Sequence, residues 1–325
     1  MTDSSESSLK NKNASKPSSR MWLWWFFPLL TLWSVWCVGQ IFRDRVWPLE
    51  LAFYVPSAGL MAGLLIIGLW AAWHRRRRMA ICALLMAIGP AVFVLGVENR
   101  FFAAPPVVPD GRPIRLVHWN VMNGLLGQDA IQDILCQEKA DLYVLSEPDR
   151  IDLDALSRRL GDSYKVISGF RFAAVAPGRL HNGVLLCTEG GLLVYSFDWT
   201  NDDRTCKVFV VDLDSTLLLP RDERLGRLIE LIEEHRPDLV VGDFNAPRRC
   251  LALCSLPDGY AHAYNTAGSG WSYTWPMPFP VYAIDQCIAG PRIKPIRYQL
   301  KSSPRSDHRR QVFDFVVGDS DSGTP

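Results

Sequence analysis

Apolar residues are distributed along this chain in two regimes. Over the first hundred positions they form three long runs, Trp22 to Phe42, Leu49 to Trp73 and Met79 to Val97, each near the roughly 20 residues a helix needs to cross a bilayer. Three transmembrane helices are therefore expected within residues 21–102, at about 22–42, 49–73 and 79–97. A cleaved signal peptide accounts for the first run alone and would not be followed by two more. Trp22, Trp24, Trp25, Trp47, Trp70 and Trp73 stand near the ends of the runs, where an amphipathic ring suits the headgroup region. Residues 1–20, rich in Ser, Lys and Asn, lack the apolar content to offset the entropy of ordering and read as a disordered tail.

From Ile114 the pattern changes to short, β-branched runs: Ile114 to Trp119, Leu142 to Leu145, Tyr164 to Ile167, Val184 to Cys187, Leu192 to Phe197, Val208 to Val211 and Leu239 to Val241. Such runs predict strands. Between some of them, Asp129 to Glu138 and Arg221 to His235 carry apolar residues at helical spacing. The expected architecture over 114–318 is α/β, with mixed sheets covered by helices. Residues 103–113 form a proline-rich extended linker, and 319–325 a disordered tail.

Charge orients the chain. Residues 1–103 hold 11 Lys/Arg against 5 Asp/Glu, and the remainder holds 24 against 29. An acidic C-terminal part argues against broad, charge-driven nucleic-acid binding. Lys10, Lys12, Lys16 and Arg20 precede the first run and Arg75 to Arg78 join the second and third, whereas Arg43 and Arg45 mark the other side. The positive-inside rule then places the N-terminus and the tetra-Arg turn in the cytoplasm. With three spans, the C-terminal domain is expected outside it, at a cell membrane. Six of the 8 cysteines fall in that domain; an exterior permits disulfides, but Cys136 and Cys187 lie in apolar runs and no pairing is implied.

Certain polar residues fall at corresponding strand ends: Asn120 after the first strand, Glu147 after the second, Asp243 and Asn245 after the strand at Leu239. Side chains at the ends of neighbouring strands converge in one crevice in many α/β architectures. Asp243 and Asn245, two apart, share a face if the strand runs on through them. Glu147 and Asp307 suit a hard divalent ion, which takes one or two carboxylates with water and phosphate. Asp307-His308 sets a carboxylate beside an imidazole. Each residue alone is equally well a turn former or a cap; the case rests on their joint order.

That order resembles the endonuclease/exonuclease/phosphatase superfamily, with its deoxyribonuclease-I-like fold. The stretches that carry the resemblance are Leu116-Val117-His118-Trp119-Asn120-Val121, Leu145-Ser146-Glu147, His181-Asn182-Gly183-Val184-Leu185-Leu186, Val241-Gly242-Asp243-Phe244-Asn245-Ala246, Ala283-Ile284-Asp285 and Ser306-Asp307-His308. Three membrane spans before such a domain also resemble a group of bacterial membrane proteins of this superfamily. The resemblance implies a four-layer sandwich, two mixed β-sheets flanked by helices, with the site at one edge. It implies hydrolysis of a phosphoester by in-line attack of water, assisted by Mg²⁺ or Mn²⁺. By position Glu147 looks like the main metal ligand, with Asn120 orienting metal-bound water or phosphate and Asp307 as a further metal or His-orienting carboxylate. Asp243 looks like the residue that orients or deprotonates water, Asn245 a contact to the scissile phosphate, His308 the catalytic imidazole and Asp285 its orienting partner.

One position departs from the pattern. Family members place a second His at the end of the strand before the long helix, and here that strand reads Val210-Val211-Asp212-Leu213-Asp214. An ionised Asp212 repels the negative charge that develops on a transferring phosphoryl group. Three readings follow: a binding or scaffold protein that has lost turnover, an extra metal recruited by Asp212, or another His, with His181 the candidate, moving in beside the substrate. The expected activity is a membrane-anchored phosphoester hydrolase; its partners are the lipid bilayer and a phosphoester substrate, whether nucleic acid, lipid headgroup or small molecule. Trp271 to Pro276 forms an aromatic stretch that lines the substrate side or serves packing.

Overall fold

The computed structural model describes residues 21–104, 106–202, 204–217 and 219–318, with 21–26 as backbone only. The tails expected at 1–20 and 319–325 lie outside the described residues. The N-terminal part forms α1 (Met21–Phe42), α2 (Glu50–Phe53), α3 (Ser57–Trp73) and α4 (Arg77–Val92), the last continuing as a π-helical segment to Glu98. Among the described residues, one helix, Arg77–Glu98, is long and apolar enough to cross a membrane, while Phe27–Phe42 and Ser57–Trp73 are apolar but shorter. The expectation of three spanning helices is corrected here. The run from Leu49 to Trp73 is not one helix, because Pro56 stands in extended backbone (ψ 121°) ahead of α3. It leaves α3 with 17 residues, about 25 Å of rise.

The remainder of the chain alternates strands and helices: β1 (Ile114–Asn120), α5 (Gln128–Glu138), β2 (Leu142–Ser146), α6 (Leu153–Leu160), β3 (Tyr164–Gly169), β4 (Phe172–Pro177), β5 (Arg179–Cys187) and β6 (Leu192–Asn201). There follow β7 (Arg204–Leu213), α7 (Arg221–His235), β8 (Leu239–Asp243), α8 (Leu251–Cys254), β9 (Ala261–His262), α9 (Ala263–Ala267), β10 (Asp285–Ala289), β11 (Ile293–Lys301) and β12 (Arg310–Val317). Two sheets result, ordered β11-β12-β1-β2-β4-β3 and β5-β6-β7-β8-β10-β9. Each is mixed in the same way: β1 and β2 are parallel across α5, β7 and β8 are parallel across α7, and the other neighbours are antiparallel.

The cores follow from this layering. Leu116, Val144, Phe197, Val208, Val241 and Phe313 fill the space between the sheets. Ile131, Leu135 and Leu156 cover the first sheet on its outer face. Leu225, Leu228, Leu231 and Ile232, spaced three and four apart on α7, cover the second; this is the period that puts apolar side chains on one helical face.

The N-terminal helices are fastened to this domain. Phe53 of α2, 5% exposed, is packed in the core under α7. Buried Asp44 accepts the Leu251 N–H at 3.0 Å. Glu98 accepts hydrogen bonds from the hydroxyls of Ser57, at 2.7 Å, and Tyr273.

Candidate active site

The site forms where both parallel pairs end. Asn120 closes β1 opposite Ser146 of β2, and Asp212 pairs in register with Asp243 at the ends of β7 and β8. Antiparallel β10 begins at Asp285, opposite Asp243, and His308 lies just before β12, which runs antiparallel to β1. Strand direction thus delivers all these residues to one edge of the sandwich. The two sheets meet there through Asn120, whose Nδ2 donates to Asp243 Oδ2 at 3.1 Å and to Glu147 Oε1 at 3.4 Å.

Local backbone aims the side chains. Glu147 leaves β2 with φ 53°, a left-handed conformation that costs a non-glycine residue about 1–2 kcal/mol. Arg171, Asn123 and Asn120 hold its carboxylate. β8 stops at Asp243, whose Oδ1 accepts the Asn245 N–H at 3.0 Å, and Asn245 itself has φ 45°. The strand therefore does not continue through both residues, and Asn245 donates from Nδ2 to the Leu213 carbonyl at 2.7 Å, leaving its second amide hydrogen. Gly242 is required because a Cβ there would lie 1.9 Å from the Val211 carbonyl oxygen.

His308 is the cationic centre of the second-sheet side. Its Nδ1 is 2.9 Å from Asp285 Oδ2, and its Nε2 is 3.7 Å from Asp243 Oδ2 and 4.0 Å from Asp307 Oδ1. Burial favours the neutral ring, but Asp285, then Asp243 and Asp307, outweigh it and push the imidazole up to about 10. Burial and the neighbouring Asp285 raise the Asp243 carboxyl. For Asp285 burial works upward too, and contact with His308 holds it down. Ser306 fixes the loop by donating to the Asn120 carbonyl at 2.7 Å and accepting the His308 N–H.

Several positions differ from their expected places. Asn120 Oδ1 accepts the Met122 N–H, and its Nδ2 is the group turned to Asp243 and Glu147 across the crevice. His181 is not in the crevice: it lies in register with Asp198, which pairs with Lys207, five residues along β7 from Asp212. Its Nε2 is 3.0 Å from Thr200 Oγ1, so it does not replace the missing imidazole. Asp212 does face the site, and its partner is Arg171, at 3.3 Å, whose guanidinium also lies 2.7 Å from Glu147. Burial raises the Asp212 carboxyl to about 6, against the pull of Arg171. Arg171 escaped the sequence reading because a lone cation in a turn carries no motif. Trp275 also reaches the site, donating from Nε1 to Asp307 Oδ2 at 3.0 Å. A cavity of about 730 Å³ beside the linker and β11 touches none of these residues; they lie along an open edge.

This fold and edge site define a class, and the comparisons agree with it. Residues 117–308 match the model of the Endonuclease/Exonuclease/phosphatase family, to which the chain belongs. It is similar to truncated Caenorhabditis elegans TDP2, at 18% identity over 64% of this chain and 99% of that one, with a TM-score of 0.53. D. rerio TDP2 complexed with single strand DNA product is similar at 17% identity over 64% and 100%, with a TM-score of 0.53. The endonuclease/exonuclease/phosphatase from Bacteroides vulgatus gives 17% identity over 64% and 100%, with a TM-score of 0.51. These likenesses establish the fold. No curated protein sequence matches the chain.

Members of this family hydrolyse phosphoester bonds with divalent metal ions, and the donors here fit such an ion. Asp285 Oδ1 and Asp307 Oδ1 are buried without hydrogen-bond partners, and carboxylate oxygen is the donor that hard cations take. Donor atoms of Asp243, Asp285 and His308 lie within 4.8 Å of one another. A ligating His must be neutral, so an ion bound at this group would have to displace the proton that Asp285 and Asp243 favour on His308. Asp307 keeps its Oδ1 without a hydrogen-bond partner, whereas the Glu147 carboxylate is engaged by Arg171, Asn120 and Asn123.

Proposed function

We propose that the chain is a membrane-anchored phosphoester hydrolase dependent on Mg²⁺ or Mn²⁺ and acting outside the cytoplasm. The observation that carries the chemistry is the continuous set Glu147–Asn120–Asp243–His308–Asp285, which joins both sheets at one edge. Glu147 and Asp307 would hold a divalent ion, which when bound would supply charge neutralisation at the phosphate. Asp243 orients water for in-line attack and takes its proton, a role that suits a carboxyl raised by burial. His308 donates from Nε2 to a phosphate oxygen while Asp285 keeps the ring charged and fixed. Arg171, steadied by Asp212, supplies the second positive charge that relatives take from a His. Asn245 adds its free amide hydrogen. Phosphoryl transfer is largely positioning and charge stabilisation, which is what these groups provide.

Support for the anchor comes from the apolar surface of the N-terminal helices. Leu69 is 66% exposed, and Ile66, Trp73, Ile81, Ile88 and Val92 are likewise exposed, a patch of a kind that monomeric soluble proteins rarely show to water. The Arg75–Arg78 turn joins the ends of α3 and α4 remote from the domain, the arrangement that the positive-inside rule reads as domain outside.

The test uses the full chain in detergent with bis-p-nitrophenyl phosphate and Mg²⁺ or Mn²⁺. Wild type turns over and Glu147→Ala does not. Metal binding with no turnover in wild type would instead favour a binding or scaffold protein, the reading that the Arg171–Glu147 ion pair supports by occupying a ligand oxygen.

A further inference from the structure

A groove of about 550 Å³ runs between α1 and α3 and reaches the domain at Leu217 and Tyr282. Leu29, Leu32, Leu60 and Leu64 line its length, and Leu217 and Tyr282 line its domain end. Its floor is made by two glycines of α3: Gly59 and Gly63 belong to the lining, and a Cβ on Gly63 would meet nothing within 4 Å. Counting from the domain end of α3, Leu64 and Ile67 put the groove's far wall about 10–15 Å along the helix.

The domain end is joined to the active site by contacts already at hand. The Tyr282 ring is 6.0 Å from that of Trp275, and Tyr282 and Trp275 exchange backbone hydrogen bonds. Trp275 in turn holds Asp307 and lies 6.5 Å from the His308 ring. Leu217 is in the loop that leaves β7, four residues after Leu213, whose carbonyl accepts from Asn245. The domain end of the groove and the crevice are thus joined through two short segments, 212–217 and 275–282.

An apolar trough lying along membrane-facing helices and opening beside a phosphate site fits a molecule that is apolar at one end and a phosphoester at the other. We infer that the substrate is a membrane lipid phosphoester, with its acyl chain in the α1–α3 groove and its phosphate between Glu147, Arg171 and His308. This rests on the hydrolase reading above and names the substrate class for the same site. The chemistry selects against a substrate without a chain: the bare headgroup ester gains nothing from the groove.

The experiment compares soluble phosphoesters of one headgroup carrying acyl chains of two to eight carbons, below their micelle concentrations, with bis-p-nitrophenyl phosphate, on the full chain in detergent. Burial of methylenes predicts that kcat/KM rises by about tenfold for each two carbons added until the groove is filled. Gly63→Leu, which places a side chain in open space and favours the helix, flattens that rise and leaves bis-p-nitrophenyl phosphate turnover unchanged. A chain-length profile that is flat in wild type, or a Gly63→Leu effect equal on both substrates, overturns the inference while leaving the hydrolase intact. If neither substrate is hydrolysed, the hydrolase reading has failed, and the groove is judged by a phospholipid bearing a photoreactive diazirine in its acyl chain. Labelling concentrated on residues 29–32 and 60–67 and lost in Gly63→Leu supports it; labelling spread over every apolar face of α1, α3 and α4 overturns it.

Discussion

Arg171 projects from the turn between β3 and β4 and contacts Glu147 at 2.7 Å and Asp212 at 3.3 Å. Two carboxylates that would otherwise repel each other, and any phosphate, share one cation. If Arg171 supplies the charge and Asp212 only steadies it, the two act as a unit, and units are non-additive. Arg171→Met is expected to lower kcat about 100-fold, the loss typical of a transition-state donor. Asp212→Asn lowers it about tenfold, and the double variant is no slower than Arg171→Met; steady-state kinetics of the three variants decides this. On the far side of the first sheet, Glu138, 4% exposed at its side chain, receives Lys301 and Arg310. Burial works to raise its carboxyl, but the two cations prevail and hold it below the usual range. A depressed carboxyl stabilises the fold fully above the unfolded value of about 4.3 and loses that contribution as pH falls through the lower folded value. Glu138→Gln should therefore lower the melting temperature at pH 7, by the equivalent of about 1.5–3 kcal/mol for lost charged hydrogen bonds, less than for a fully buried pair because Lys301 is 38% exposed. The deficit relative to wild type should shrink when melts are repeated toward pH 3.

At the scale of elements, what was legible in the sequence was whatever is periodic. The apolar stripe Leu225, Leu228, Leu231, Ile232 marks α7 over the same residues the structure gives it, Arg221–His235. The strands ending at Asn120 and Asp243 stand out because β-branched runs stop at polar residues. β4, Phe172–Pro177, is half alanine and ends in proline, with Val175 its one β-branched residue, too weak a strand signal to stand out, and Arg171's turn is hidden with it. The left-handed turn at Asn245 was equally hidden, since nothing in a Gly-Asp-Phe-Asn string says that the strand stops at Asp243. The break at Pro56 was readable as a proline but was masked by the apolar residues on both sides. Its effect is to free α2 for another use: Phe53 fills a socket under α7. Phe53→Ala should cost about 3–5 kcal/mol, seen as a lower urea midpoint with an unchanged slope by tryptophan fluorescence.

For the whole molecule, fold and site come from repetition. The same strand–helix–strand unit, β1-α5-β2 and β7-α7-β8, occurs once in each sheet, and stacking the sheets brings both sets of strand ends to one edge. That these residues gather at a single edge was inferable from the order of Asn120, Glu147, Asp243 and His308. Which of their atoms meet was not, because hydrogen-bond direction at Asn120 and the reach of His181 depend on register across strands far apart in sequence. The helices before residue 100 are the least conventional part, apolar on the outside and fastened to the domain by Asp44, Phe53 and Glu98.

The placement of Phe53 bears on how the chain is made. Its socket includes Ile288, so the plug leaves the ribosome well before the last wall of its pocket, by roughly 10–50 s at about 5–20 residues per second. The N-terminal helices are synthesised first, and the Ile288 wall of the socket is added about 235 residues later. Synthesis is thereby ordered in time, plug before socket, and a domain produced without that segment has an open socket where Phe53 belongs.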